Sequence, residues 1–296
     1  MLDKNQEIAS IFEKIHLSLQ KQFLINESQK NVIKDSWTKK GLGEGTSVVI
    51  DGGEFFDKAG INFSKISGDS LPQASLGKEN FHDVPYFATG VSVVFHPKNP
   101  NVPTAHLNIR YFCTFKGDEI LDEWFGGGFD LTPYVLFEED CRLWHQEAKN
   151  ACDFNYEAWK KNCDSYFFLK HRKEHRGIGG IFYENQRFDK RSSGLKLSQD
   201  VVTAFLNAYT KIIKKRKNLP HTDRQKEFQR FRRGRYVEFN LIYDRGTLFG
   251  LQSGGRIESI LMSLPNEVSW RYKFDNNLNE EEIFLYSAIT KARNWI

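Results

Sequence analysis

In the stretch NVPTAHLNIRYF, Asn101 to Phe112, the second half alternates between apolar and polar residues. An extended chain has a side-chain period of two, so Ala105, Leu107, Ile109 and Tyr111 share one side while His106, Asn108 and Arg110 share the other. The polar side carries a titratable base, an amide and a fixed cation where a solvated strand would carry Lys, Glu and Thr. Just upstream, GVSVVFH places Ser92, Val94 and His96 on one side, and the intervening loop is stiffened by Pro97, Pro100 and Pro103. Joined as a hairpin, the two strands bring their polar groups onto one sheet surface. Donors, a base and a guanidinium together suit recognition of a carboxylate. The alternative is a solvated outer face with two incidental histidines.

Three further segments carry reactive side chains. RYVEFNLIYDRG reads as a late strand in which Tyr236, Glu238, Asn240, Ile242 and Asp244 alternate with Arg235, Val237, Phe239, Leu241 and Tyr243. It ends in Asp244-Arg245-Gly246, a pair that is structural unless burial or neighbours tune the aspartate for proton transfer. WFGGGFDLTP sets Gly126, Gly127 and Gly128 shortly before Asp130, either as a flexible turn or as a place where the backbone closes on a bulky ligand. His145 lies on an expected helix near Cys141 and Cys152, and His171 and His175 recur in HRKEH. HRKEH lacks the glutamate that HExxH places directly after its first histidine. Together with His96 and His106 these histidines offer a metal site; histidine and thiols packed in a core are the other reading.

Composition restricts the classes of function. A hydrophobic share of 40% with 27% charged residues fits a globular protein with a sizeable core. A net charge of +4 is too small for a dedicated nucleic-acid binder and is compatible with an anionic small substrate. The basic run KIIKKRKNLPHTDRQKEFQRFRRGR is therefore read as a solvated helix face and loop; as a nucleic-acid patch it lacks an RNP-like signature or docking motif. The four cysteines, Cys113, Cys141, Cys152 and Cys163, have no CxxC spacing, which argues against a zinc ribbon or a short-loop iron–sulfur site and for buried reduced thiols. Neither GxxxxGK[ST] nor a strand–GxGxxG–helix pattern is present, so phosphate and dinucleotide binding are not indicated.

The elements that must position these groups follow from periodicity. Ile8, Ile11, Phe12, Ile15 and Leu19 make residues 1–25 an amphipathic helix broken by charges, not a signal peptide. No stretch approaches the roughly 20 apolar residues of a membrane helix, so a cytoplasmic protein without membrane insertion is expected. Short strands are expected across the glycine-punctuated GLGEGTSVVIDGGEFFDKAGINFS, then in GVSVVFHP, AHLNIRYFCTF and IGGIFYE. Helices are expected in FEEDCRLWHQEAKNAC, YEAWKKNCDSYFFLKHRKE, SQDVVTAFLNAYTKIIKKRK and NEEEIFLYSAITKARNWI. Without regular βαβ alternation, repeats or a composition break, the expectation is an α+β fold in a single domain, 1–296, with a largely antiparallel sheet covered by helices.

The blocks DKAGINFS, HPKNPNVPTAHLNIRYF, WFGGGFDLTPYVLFEED, LKHRKEHRGIGGIF and FRRGRYVEFNLIYDRGTLFGLQSGGRIESILMSLP together resemble the oxygen-dependent coproporphyrinogen III oxidases, from about residue 41 to the carboxyl terminus. The resemblance implies aerobic oxidative decarboxylation of two propionates of coproporphyrinogen III to vinyls, giving protoporphyrinogen IX, carbon dioxide and hydrogen peroxide in haem biosynthesis. Dioxygen is then the co-substrate and no organic cofactor takes part, while a divalent metal stays open. It implies a large flat antiparallel sheet between helices and a homodimer whose contact falls between NLIYDRGTLFG and SLPNEVSW. By position, the resemblance makes Ser92, Asn108, Ile109, Arg110, Gly254, Gly255 and Arg256 substrate contacts, and Arg245 a propionate ligand. His106 matches the proposed proton donor, and Asp130 and Asp244 match bases or pyrrole N–H partners. The metal ligands assigned in some bacterial members match His96, His106, His145 and His171, whereas His175 matches no family histidine. FSKISG stands where many members have a histidine before the glycine, so any role of that histidine is missing here. Rival readings are a histidine-ligated metal oxygenase acting on another substrate, a non-catalytic tetrapyrrole carrier, and a nucleic-acid module; radical iron–sulfur chemistry is opposed by the cysteine spacing.

Overall fold

Successive hairpins lay β1 (Val32–Lys39), β2 (Gly43–Asp51), β3 (Phe56–Gly68), β4 (Tyr86–Pro97), β5 (Thr104–Lys116) and β6 (Glu119–Thr132) side by side in chain order. β9 (Gly179–Gln186) closes the far edge, giving a seven-stranded sheet with every pairing antiparallel. The computed structural model describes residues 2–70, 84–252 and 255–296. Its register explains the two faces. Val48, Ile61, Val93, Leu107, Phe129 and Ile181 stand opposite one another on successive strands, and all are buried. One residue along, Ser47, Asn62, Ser92, Asn108 and Gly128 form a second row, which the pleat turns to the opposite face.

Helices cover both faces. On the apolar side lie α1 (Leu2–Phe23), α2 (Glu138–Cys152) and α4 (Arg191–Arg216). The stripe of α1 inserts Ile8, Phe12, Leu19 and Phe23, with the Phe23 and Phe95 ring centroids 4.3 Å apart. Trp144 of α2 packs edge-on against Phe129 at 4.8 Å and donates its indole N–H to the Gly179 carbonyl. Burying an aromatic or aliphatic side chain in this layer contributes roughly 1.5–3 kcal/mol. The polar side is roofed by α5 (Asp223–Ile242), α6 (Arg245–Gln252) and α7 (Ile257–Leu261), with Met262 seated against Gly60 of β3. Of the remaining elements, α3 (Tyr156–Tyr166) leads into a small hairpin of β7 (Phe168–Leu169) and β8 (Glu174–His175), and α8 (Glu280–Ile289) lies near the end. No helix among the described residues is long and apolar enough to cross a membrane.

Several expectations are corrected. The stretch RYVEFNLIY is helical, belonging to α5, and Asp244 follows a helix end rather than a strand end. A capping box starts α5: the Thr222 hydroxyl accepts from the Gln225 N–H, and the Gln225 side chain accepts from the Thr222 N–H. Phe228, Phe231, Arg232, Arg235, Tyr236 and Phe239 are buried at three- and four-residue spacings. The short alternation beyond Arg235 is accidental, because this half of the helix is enclosed nearly all round and has few β-branched residues. The basic run is a solvated helix face and loop only in its first half, where Lys211, Lys214, Lys215, Lys217 and His221 are exposed; elsewhere Arg216 pairs with Asp140 at 2.8 Å, Arg232 with Glu174 at 2.6 Å and Arg233 with Asp57 at 2.7 Å, all three arginines buried. Helix α3 stops at Tyr166, so His171 lies in the β7–β8 turn and His175 on β8. The triple glycine lies within strand β6 and is no turn. All four cysteines are free and buried.

Candidate active site

The polar row of the sheet floors a cavity of about 190 Å³. Asn62, Ser92, His106, Asn108 and Arg110 rise from β3, β4 and β5, where the register sets Ser92 opposite Asn108 and Val94 opposite His106. Tyr236, Asn240, Asp244, Thr247 and Met262 descend from the roof, and Tyr166, Phe167 and Phe182 make an aromatic wall. Tyr166 and Phe182 are stacked, with centroids 4.2 Å apart.

On the same polar face, pairing of β5 with β6 puts Asp130 directly beside His106. The His106 Nδ1–H donates to Asp130 Oδ1 at 2.9 Å. Arg176, just after β8, donates from Nε to Oδ2 at 2.9 Å and from Nη2 to Oδ1 at 2.7 Å, and from Nη1 to the Asn240 side-chain oxygen at 2.9 Å. Its guanidinium lies 4.0 Å from the Phe167 ring centroid and 4.5 Å from that of Tyr236. Asp130 is buried, and burial alone would raise its pKa; Arg176 and His106 outweigh this and hold the carboxyl at about 2. The ionised carboxylate fixes the imidazole tautomer that carries the Nδ1 proton. Nε2 of His106 has no hydrogen-bond partner among the described residues, and the ring lines the cavity. That arrangement suits proton exchange with a bound molecule at Nε2.

Asp244 caps α6. Its Oδ2 accepts from the Thr247 backbone N–H and hydroxyl, both at 2.8 Å, while Oδ1 accepts from the Tyr166 hydroxyl at 2.8 Å. Burial, reinforced by Asp244, pushes the Tyr166 hydroxyl up to about 12, so it remains a donor. The carboxylate faces the cavity with its orientation fixed by three donors, which leaves it able to accept an N–H from a ligand.

Arg110 reaches past Gly126, where an added Cβ would stand 2.8 Å from its Nε. Its Nη2 donates to Glu184 Oε1 at 2.6 Å, and Arg245 Nη2 donates to Oε2 of the same carboxylate at 2.6 Å. Arg245 lies over the Tyr166 ring, 4.8 Å from its centroid, in an adjoining concavity of about 360 Å³ that also contains Asn162, Ser165 and Glu184.

The structure thus brings Ser92, His106, Asn108, Arg110 and Asp244 to one cavity, with Asp130 behind His106 and Arg245 next door. The Ile109 side chain is buried on the apolar face of the sheet. Arg256 pairs with Asp35 of β1 and the Gly255 N–H donates to the Gly250 carbonyl; neither lines the cavity. Gly254 lies outside the described residues.

The four histidines do not fit one metal centre. His96 of β4 accepts at Nδ1 from Thr104 and donates from Nε2 to the Ser263 carbonyl. His145 of α2 is likewise occupied by the Tyr156 hydroxyl and the Ile178 carbonyl. Burial holds both imidazoles neutral, His96 well below its ordinary value with help from Arg233 and His145 at about 3. His171 spends its nitrogens on Tyr243 and Glu238. Among the described residues no three or more His, Cys, Asp or Glu are grouped to hold a metal ion.

Sequence reasoning missed Arg176, Asn240, Tyr166 and Glu184. Arg176 is hidden in a basic run and acquires meaning only under Asp130. Glu184 left a signal, since alternation in IGGIFYE places Phe182 and Glu184 on one side.

Known proteins resemble this chain along nearly its whole length. A family model described as coproporphyrinogen III oxidase matches residues 7–295. An oxygen-dependent coproporphyrinogen-III oxidase of Francisella philomiragia subsp. philomiragia is 45% identical over 300 residues, covering 98% of this chain and 96% of that protein. One from Francisella tularensis subsp. novicida is 44% identical over 307 residues, covering 98% and 99%.

Proposed function

The chain belongs to the coproporphyrinogen III oxidase family, and from that membership we propose that the cavity between the sheet and α5–α7 is where it acts on coproporphyrinogen III. The reaction is the oxygen-dependent oxidative decarboxylation of two propionates to vinyls, giving protoporphyrinogen IX in haem biosynthesis. In each step a propionate, dioxygen and a proton become a vinyl group, carbon dioxide and hydrogen peroxide. The β C–H and the C–CO2 bonds break, the C=C bond forms, and two electrons pass to dioxygen. The observation that carries this reading is the convergence of Ser92, His106, Asn108, Arg110 and Asp244 on one polar cavity in a chain matched along nearly its whole length.

Roles follow from the geometry. Arg110 and Arg245 take carboxylates by charge-assisted hydrogen bonds, and Ser92 and Asn108 supply neutral partners on the floor. Asp244 accepts pyrrole N–H groups and favours positive charge developing on the ring. His106, its Nδ1–H held by Asp130, takes up a proton at Nε2 and passes it to the departing peroxide. Asp130, already ionised and clamped by Arg176, orients His106 instead of acting as a base. The reduced macrocycle is itself the electron donor, so the protein supplies position and electrostatics. The cavity is smaller than the roughly 300–1,000 Å³ of ordinary ligand sites, and the macrocycle extends past it, over the Tyr166–Phe182 wall toward Arg245.

The working form is a single-domain, cytoplasmic homodimer. Leu241, Ile242, Leu251, Ile257 and Trp270 are exposed apolar residues in the segment that the resemblance assigns to the dimer contact. Light scattering should give twice the chain mass for the native protein and the monomer mass for Ile242→Lys; a native monomer overturns the dimer. The test of the activity is anaerobic mixing with coproporphyrinogen III, admission of air, and product identification. Protoporphyrinogen IX with stoichiometric carbon dioxide and peroxide is expected. Binding without oxygen uptake would leave only a carrier.

A further inference from the structure

Arg110 and Arg245 come from different elements, β5 and α6, yet both point a guanidinium at one carboxylate, Glu184 of β9. The Arg110–Glu184 and Arg245–Glu184 pairs are each 2.6 Å. These are not sealed structural pairs. The side chains are 36%, 59% and 28% exposed for Arg110, Arg245 and Glu184, against 2% for both Arg176 and Asp130. Each arginine gives Glu184 only one of its Nη groups, and Arg110 Nε has no partner among the described residues. Two cations share a single anion, so the cluster keeps a net positive charge and unspent donors. It lies where the two concavities meet, beside the stacked Tyr166 and Phe182 rings.

We propose that Glu184 occupies the position of a substrate carboxylate between Arg110 and Arg245, and that one carboxylate of the macrocycle displaces it on binding. The proposal rests on the active-site reading above and adds a residue that sets affinity. An arriving carboxylate makes the same two charge-assisted hydrogen bonds, and Glu184, itself part-exposed, turns out to water. While the site is empty, Glu184 holds the two guanidiniums together and prevents their mutual repulsion from spreading them. The resident carboxylate weakens binding by the free energy needed to displace it, as any internal competitor does.

The test uses coproporphyrin III, the oxidised and non-reacting tetra-acid, and its tetramethyl ester, titrated against the full-length protein by fluorescence. Glu184→Gln should bind the tetra-acid roughly fivefold more tightly than wild type, the size of one part-exposed ion pair. The ester should change less than about twofold. Glu184→Asp, too short to span both arginines, should tighten acid binding by a smaller factor and serves if the glutamine variant does not fold. Unchanged or weaker binding of the tetra-acid by these variants would overturn the proposal, as would an equal gain for acid and ester. Failure of the underlying reading looks different: the wild-type protein then binds neither macrocycle, and the role of Glu184 falls with it.

Discussion

Replacing Asp130 by asparagine tests the buried arrangement on which His106 depends. At neutral pH the carboxylate is ionised, with one charge-assisted hydrogen bond from His106 and two from Arg176. Asparagine preserves the shape and one acceptor but leaves the buried Arg176 guanidinium without its counter-charge. Breaking such a pair from one side typically costs ~3–5 kcal/mol, a large part of the ~5–15 kcal/mol that holds an ordinary domain together. The pH dependence is independent of that figure. The folded carboxyl lies at about 2 against an ordinary 3.8, a difference worth about 2 kcal/mol. Because the folded value is depressed, this stabilisation is complete above 3.8 and disappears as pH falls through 2. Urea unfolding followed by tryptophan fluorescence at pH 7 and pH 3 therefore gives two different costs for Asp130→Asn. The gap between wild type and variant should be roughly 1 kcal/mol narrower at pH 3, where the unfolded wild-type carboxyl is mostly protonated and the folded one is not. The same variant should lower kcat by about 100-fold or more with KM nearly unchanged, since the histidine loses the charge that orients it. A stability gap equal at the two pH values, or a wild-type kcat in a folded variant, would refute the linkage from Arg176 through Asp130 to His106.

Arg110→Ala should raise KM about 10- to 100-fold, the range for losing a hydrogen bond to a charged group; steady-state rates with an unchanged KM would remove Arg110 from carboxylate binding. Asp244→Asn keeps an acceptor for the α6 cap but loses its charge toward the ring, so kcat should fall about 100-fold or more while KM moves less than about threefold. A wild-type rate would discard it as the pyrrole partner. Exhaustive chelation, verified by elemental analysis, should leave turnover intact, because His96, His145 and His171 already spend both ring nitrogens on hydrogen bonds. Activity lost on chelation and regained with one divalent metal would reverse that conclusion.

What the sequence by itself determined is local. Alternation in β4 and β5 is a property of adjacent residues, so the shared face of His106, Asn108 and Arg110, the α+β class and the helices α1, α2 and α4 could be read directly. The resemblance of long blocks then attached a chemistry to that face. Tertiary structure decided what depends on register and on burial from every side. Asp130 becomes the partner of His106 only through the β5–β6 pairing, and Arg176 becomes its clamp only once β8 and α5 close over the polar face of the sheet. The strand reading of RYVEFNLIY failed because a helix enclosed nearly all round has no exposed side from which a period could be seen. The arginines of the basic run were misread for a related reason: charge is visible in a sequence, but Asp57, Asp140 and Glu174, which neutralise them, come from distant elements. Glu184 sums up the division, since alternation shows which way it faces, while only the fold brings Arg110 and Arg245 to its two oxygens.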